Sequence, residues 1–168
     1  INVTTSTTGS LGSGPIDILG NAELQFLGAS AGAADITVHQ GTNILGSNSG
    51  LQFDNAGAGA GPPRLTLDAP GAYVFFSSGA TAANATIKSN GGRLYFYGSS
   101  SGGSATVINN GGLLYLQDAT DLSGATVQNN TGGQLFVNGV ATSVSVGSLS
   151  GKGNVTLGAK NLTVGAPG

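Results

Sequence analysis

The stretch "SATVINNGGLLYLQDATDLSGATVQNNTGGQLFVNG", residues 104–139, states one short pattern twice. Ala105-Thr106-Val107 returns as Ala125-Thr126-Val127, and Asn110-Gly111-Gly112 as Asn130 followed by Gly132-Gly133. Leu114-Tyr115-Leu116 returns as Leu135-Phe136-Val137. A period of roughly 20 residues calls for a repeat architecture before any other. Within each unit the apolar residues alternate with period two, the signature of strands, and Gly, Asn and Ser clusters separate them.

Working outward from this pair of units, two apolar columns run along the chain. One holds Ile36/Val38, Leu65/Leu67, Ala85/Ile87, Ala105/Val107, Ala125/Val127 and Val144/Val146. The other holds Leu24/Phe26, Leu51/Phe53, Tyr73/Phe75, Leu94/Phe96, Leu114/Leu116, Leu135/Val137 and Val155/Leu157. Both members of each pair are apolar while the residue between them varies, so the pairs are expected to face inward. A 20-residue unit cannot bury its own apolar edge, whereas stacked copies bury it together. The fold class that follows is all-β: a single-chain parallel β-helix, or β-solenoid, of about seven to eight rungs climbing roughly 4.8 Å per turn.

Residues 1–168 are read as one domain, with regular rungs over about 64–165 and looser rungs with longer loops over 1–63. The loops are expected at "GTNILGSN" (41–48) and "NAGAGAGPP" (55–63). Asn90, Asn110 and Asn130 occupy equivalent turns and are expected to bond amide to amide as a ladder. The glycine pairs after them are expected to supply positive φ at the corner.

Composition narrows the function classes. Seven acids and five bases leave a net charge of -2, and only 7% of residues are charged. That gives no electrostatic footprint for nucleic acid and no polybasic membrane patch. With no cysteine there is no disulfide framework, thiolate metal site or thiol nucleophile. The opening "INVTTSTTGS" has no basic region and no apolar stretch, so no signal peptide is expected in it. If the protein is exported, the chain is then a mature piece or a fragment of a longer passenger.

The units "NATIKSNGGRLYFYGSSSGGSATVINNGGLLYLQDATDLSGATVQNNTGG" (84–133) resemble repeats of Gram-negative autotransporter passenger domains. The ending "VGSLSGKGNVTLGAKNLTVG" (146–165) is similar to the passenger-associated β-strand repeat, with its L-x-G-x-G-x-V-x-L core followed by L-x-V-G. The resemblance implies a right-handed parallel β-helix, exported through a C-terminal membrane barrel that this sequence does not contain. It also implies a location at the cell surface or outside a Gram-negative cell.

Several residues are candidates for a site. His39 and Asp35 share a strand face in "DITVHQG" and read as a solvated surface pair, since no G-x-S-x-G accompanies them. Asp118 and Asp121 follow a strand and could form a carboxylate pair, as in a solenoid hydrolase or lyase acting on polysaccharide. The seven acids are otherwise scattered: Asp17, Glu23, Asp35, Asp54, Asp68, Asp118 and Asp121. No catalytic residue, metal or cofactor is expected. Thr37, Thr66, Thr86, Thr106, Thr126 and Ser145 suggest an outward hydroxyl ladder, and with it an ice-binding alternative, but charged neighbours interrupt that face. The second column's outward residues are expected to be Gln25, Gln52, Val74, Tyr95, Tyr115, Phe136 and Thr156. Tyr95, Tyr97, Tyr115 and Phe136 are therefore the candidate binding face, since aromatic side chains at rung spacing offer large apolar area. The function expected is a non-enzymatic adhesin or spacer, with a glycan, a surface protein or a second copy as partner.

Overall fold

The computed structural model describes residues 13–20, 22–27, 30–39, 50–54 and 62–165, with only the backbone described over 50–54. The loop at 41–48 and most of the one at 55–63 lie outside the described residues. Among the described residues the alternating segments form fifteen strands. In chain order these are β1 (Pro15–Ile18), β2 (Glu23–Leu27), β3 (Asp35–Val38), β4 (Gly50–Asp54), β5 (Arg64–Leu67), β6 (Tyr73–Ser77), β7 (Thr86–Ser89) and β8 (Arg93–Phe96). They continue with β9 (Thr106–Asn109), β10 (Leu113–Asp118), β11 (Leu122–Asn129), β12 (Gln134–Val140), β13 (Ser143–Ser150), β14 (Asn154–Thr156) and β15 (Asn161–Val164). Among the described residues there is no helix, so none is long and apolar enough to cross a membrane.

Odd-numbered strands form one eight-stranded sheet and even-numbered strands a second, seven-stranded sheet. Every pairing between these strands is parallel, and each links a strand to its counterpart one turn away. The chain thus winds as a β-solenoid of about 6 turns. A third side is thinner. Thr81, Ser101 and Asp121 bridge in parallel, and each side chain accepts the N–H two residues on: Ala83 at 3.0 Å, Gly103 at 3.0 Å and Ser123 at 2.9 Å. These local turns satisfy the corner's backbone where no ladder bond is available.

The core is the space between the sheets. Phe26, Phe76, Phe96, Leu94, Leu114, Leu116, Leu135 and Val137 fill it from one side, and Ile36, Val38, Leu65, Leu67, Ile87, Val107 and Val127 from the other. Burying such a side chain contributes about 1.5–3 kcal/mol. Because each rung lies on the next, that gain needs neighbours.

The phase of the strands differs from expectation in places. In "YVFF" the buried pair is Val74/Phe76, both wholly buried and in register with Leu94/Phe96, rather than Tyr73/Phe75. A one-residue shift of phase moves every side chain to the opposite face, and a continuous apolar run hides which phase is correct. In the first column Leu65 lies beside Ile87, not Ala85, and Val127 beside Leu149, not Val146, which pairs with Leu122. The register shift between Leu122 and Thr126 accounts for the second slip. At the last strand of the second sheet, Val155 follows Leu135 in register yet is 39% exposed, because among the described residues no further strand covers it.

The exposed asparagine ladder is present: Asn110 Nδ2 donates to Asn90 Oδ1 at 3.2 Å, and Asn130 Nδ2 to Asn110 Oδ1 at 2.9 Å. A second polar line lies inside the coil. Asn109 and Asn129 are buried, Asn109 Nδ2 donates to Asn129 Oδ1 at 2.9 Å, and Asn129 Nδ2 donates to the Asn154 carbonyl at 2.8 Å. The glycine pairs serve this line by their size. Gly91, Gly92, Gly111 and Gly112 lack positive φ, unlike Gly132 at 88°. A Cβ on Gly133 would lie 2.5 Å from Asn129 Oδ1.

Candidate functional site

With Val74, Leu94, Leu114 and Leu135 turned inward, the next residue of each strand points out. Phe75, Tyr95, Tyr115 and Phe136 are consecutive register partners on β6, β8, β10 and β12. Their rings stack with centroids 4.3, 4.8 and 4.8 Å apart and interplanar angles of 10°, 7° and 10°. The spacing is that of the strands themselves, so the backbone imposes the stack and the rings complete it. Phe75 joins the line against the sequence expectation, which turns it inward. The signal that identifies it is the continuity of Leu51 and Phe53 with Val74 and Phe76.

Stacking decides what the face can do. Tyr95 and Tyr115 each have a ring against both faces, so what they turn to solvent is ring edge and phenol hydroxyl. Tyr97, 47% exposed, lies two residues beyond Tyr95 and makes no ring contact among the described residues. The structure therefore brings together Tyr95, Tyr115 and Phe136, adds Phe75, and leaves Tyr97 apart.

The adjoining line runs Glu23, Gly50, Tyr73, Arg93, Leu113, Gln134 and Asn154 in register. Tyr73 meets the edge of Phe75 at 5.7 Å and 82°. Its phenol is pushed up to about 12, first by burial and then by the charge of Glu23 and a hydrogen bond to it. Gly50, between them in register, leaves the way open. Burial also raises the Tyr95 phenol, against the opposing pull of the Arg93 cation.

The other candidates resolve into local structure. His39 does not pair with Asp35. Its Nε2 is 2.9 Å from Asp17 Oδ1 and its Nδ1 is 3.6 Å from Asp68 Oδ2, one rung to either side. Pairing across rungs prevails over pairing along a strand face, because the neighbouring rungs bring both the register neighbour Asp68 and the diagonal Asp17 within side-chain reach. Asp118 accepts the Gly98 N–H at 3.2 Å, and Asp121 accepts the Ser123 N–H at 2.9 Å and the Ser123 hydroxyl at 3.0 Å. Asp118 is thus engaged across a rung and Asp121 in a local turn. The threonine ladder is broken: Thr86, Thr106 and Thr126 stack and lead to Ser148 rather than Ser145, while Thr66 lies between Thr37 and Lys88. Among the described residues no three His, Asp or Glu side chains are placed to hold a metal ion.

Comparison with protein-family models, with curated proteins and with solved structures finds no match for this chain.

Proposed function

We propose that the chain is a non-enzymatic, surface-exposed or secreted passenger module of an autotransporter: a right-handed β-helix of seven to eight rungs, serving as spacer and adhesin. The observation that carries the adhesive role is the aromatic line Phe75–Tyr95–Tyr115–Phe136, four stacked rings on an outward sheet face. The sheets of eight and seven strands support the rung count, and crossovers between parallel strands are overwhelmingly right-handed. The terminal motif supports the family. A Cβ on Gly153 would lie 2.5 Å from Asn129 Nδ2, so the rung beneath demands glycine at that motif position.

Ring edges and hydroxyls fit a polypeptide or another flat apolar surface better than a sugar, which stacks on an open ring face. The partner proposed is therefore a surface protein or a second copy, ahead of a glycan. The test is adhesion of protein-coated beads to epithelial monolayers and to one another. Adhesion that depends on the aromatic line supports the proposal. New reducing or unsaturated ends from a polysaccharide panel, lost in Asp118→Ala/Asp121→Ala, would overturn it in favour of a hydrolase or lyase.

A further inference from the structure

The exposed asparagine ladder contains two Asn–Gly pairs at equivalent corners, Asn90-Gly91 and Asn110-Gly111, each followed by a second glycine. The pair is the sequence most prone to spontaneous deamidation, because an unbranched neighbour lets its backbone nitrogen approach the side-chain carbonyl. Both glycines are half-buried. Among the described residues neither the Gly91 nor the Gly111 N–H donates a hydrogen bond. The side chains differ in how they are held. Asn110 is bonded at both ends, donating to Asn90 Oδ1 at 3.2 Å and accepting from Asn130 Nδ2 at 2.9 Å. Asn90 is bonded at one end only: its carbonyl accepts from Asn110, and its amide nitrogen donates to no protein group among the described residues. The third Asn–Gly pair, Asn138-Gly139, lies inside β12 rather than at a corner, so it is not a like comparison.

We infer that Asn90 is a site of spontaneous covalent modification by water, and that the ladder shields Asn110 from the same reaction. The Gly91 nitrogen, losing its proton to hydroxide, attacks Asn90 Cγ. A carbon–nitrogen bond forms, the carbon–Nδ2 bond breaks, and Nδ2 takes up a proton and leaves as ammonia. Water then opens the resulting succinimide at either carbonyl, giving aspartate or isoaspartate. Either product places a carboxylate at this corner, and isoaspartate also adds a carbon to the main chain there. Asn110 must break two side-chain hydrogen bonds to reach the attacking geometry and Asn90 only one, so one hydrogen bond separates their rates, a factor of about two to ten.

The experiment incubates the full chain in mildly alkaline buffer and follows aspartate plus isoaspartate at residues 90 and 110 by peptide mass spectrometry. A urea-unfolded sample is the control, since both sites there have the same Asn-Gly-Gly context. Asn90 is expected to convert about two- to tenfold faster than Asn110 in the folded chain, and at nearly the same rate in urea. In Asn130→Ala, shown by circular dichroism to keep its strands, conversion at Asn110 rises by a similar factor while Asn90 is unchanged. Equal rates at the two sites in the folded chain, or no acceleration at Asn110 in N130A, overturn the inference.

Discussion

Phe75 and Tyr95 stack 4.3 Å apart on the outside of the second sheet. One residue further along the same strands, Phe76 and Phe96 stack 5.0 Å apart inside the coil. The same backbone spacing builds both stacks, yet one is wholly buried and the other faces solvent. That difference sets what each contributes.

Phe96→Ala is expected to cost about 3–5 kcal/mol, since it empties a buried site that stacked rungs cannot readily close. Tyr95→Ser forfeits two ring contacts worth about 0.5–1.5 kcal/mol each and leaves no cavity. Urea unfolding of the two variants measures the difference. Equal losses would contradict a strand phase that turns Phe96 inward and Tyr95 outward.

That phase was legible in the sequence where polar residues punctuate it. Arg93 before Leu94/Phe96, Gln117 after Leu114/Leu116 and Gln134 before Leu135/Val137 occupy the outward phase, and the six inward residues are all buried. It was not legible in "YVFF", where four apolar residues in succession satisfy either phase. The buried polar line is hidden for a different reason. Asn109 and Asn129 are turn-forming residues by type, although period two from Ala105 and Val107 carries Asn109 inward. The doubled asparagines of "NNGG" and "NNTGG", one for each ladder, are the signal that reveals it. The partners of His39 were not legible because distance along a strand is visible in sequence, whereas distance between rungs depends on register.

The inner asparagines should matter more than the outer ones. Asn129→Ala leaves the buried Asn109 amide with only the Gln134 carbonyl to donate to, at about 1–3 kcal/mol for a buried group short of a partner, while water can reach the exposed Asn154. Asn110→Ala breaks two exposed bonds whose ends water can satisfy, and is expected to cost less. Thermal melts of the two single variants make the comparison.

Gly133→Ala tests the size argument for the corner glycine. The added methyl would lie 2.5 Å from Asn129 Oδ1 and 2.8 Å from Asn109 Nδ2, so the inner ladder must shift. A loss of about 1–3 kcal/mol is expected from such overpacking. In Asn129→Ala/Gly133→Ala the penalty of the glycine change should shrink, and a double-mutant cycle reads the coupling.

Tyr73 carries a pH signature. Its phenol is pushed up to about 12 in the folded chain, above the ordinary tyrosine value of 10.0. Between these values the folded state holds a proton that the unfolded state has released, so stability falls as pH rises through that window. The contribution is complete below the unfolded value and lost as pH passes the folded one. Absorbance titration should show a late-ionising component to which Tyr73 contributes beside the Tyr95 phenol that burial also raises, diminished in Tyr73→Phe and shifted downward in Glu23→Gln.

The adhesive role is tested most directly by Tyr95→Gln/Tyr115→Gln/Phe136→Gln. The same line already carries Gln25 and Gln52, so glutamine suits these strands while removing the ring edges. Beads coated with this variant and with the parent chain are compared for adhesion to epithelial monolayers and to one another, alongside a thermal melt. The expected result is that the variant stays folded, as judged by a cooperative melt, and loses most of the parent's adhesion. A folded variant that adheres as well as the parent would contradict the aromatic line as the binding surface.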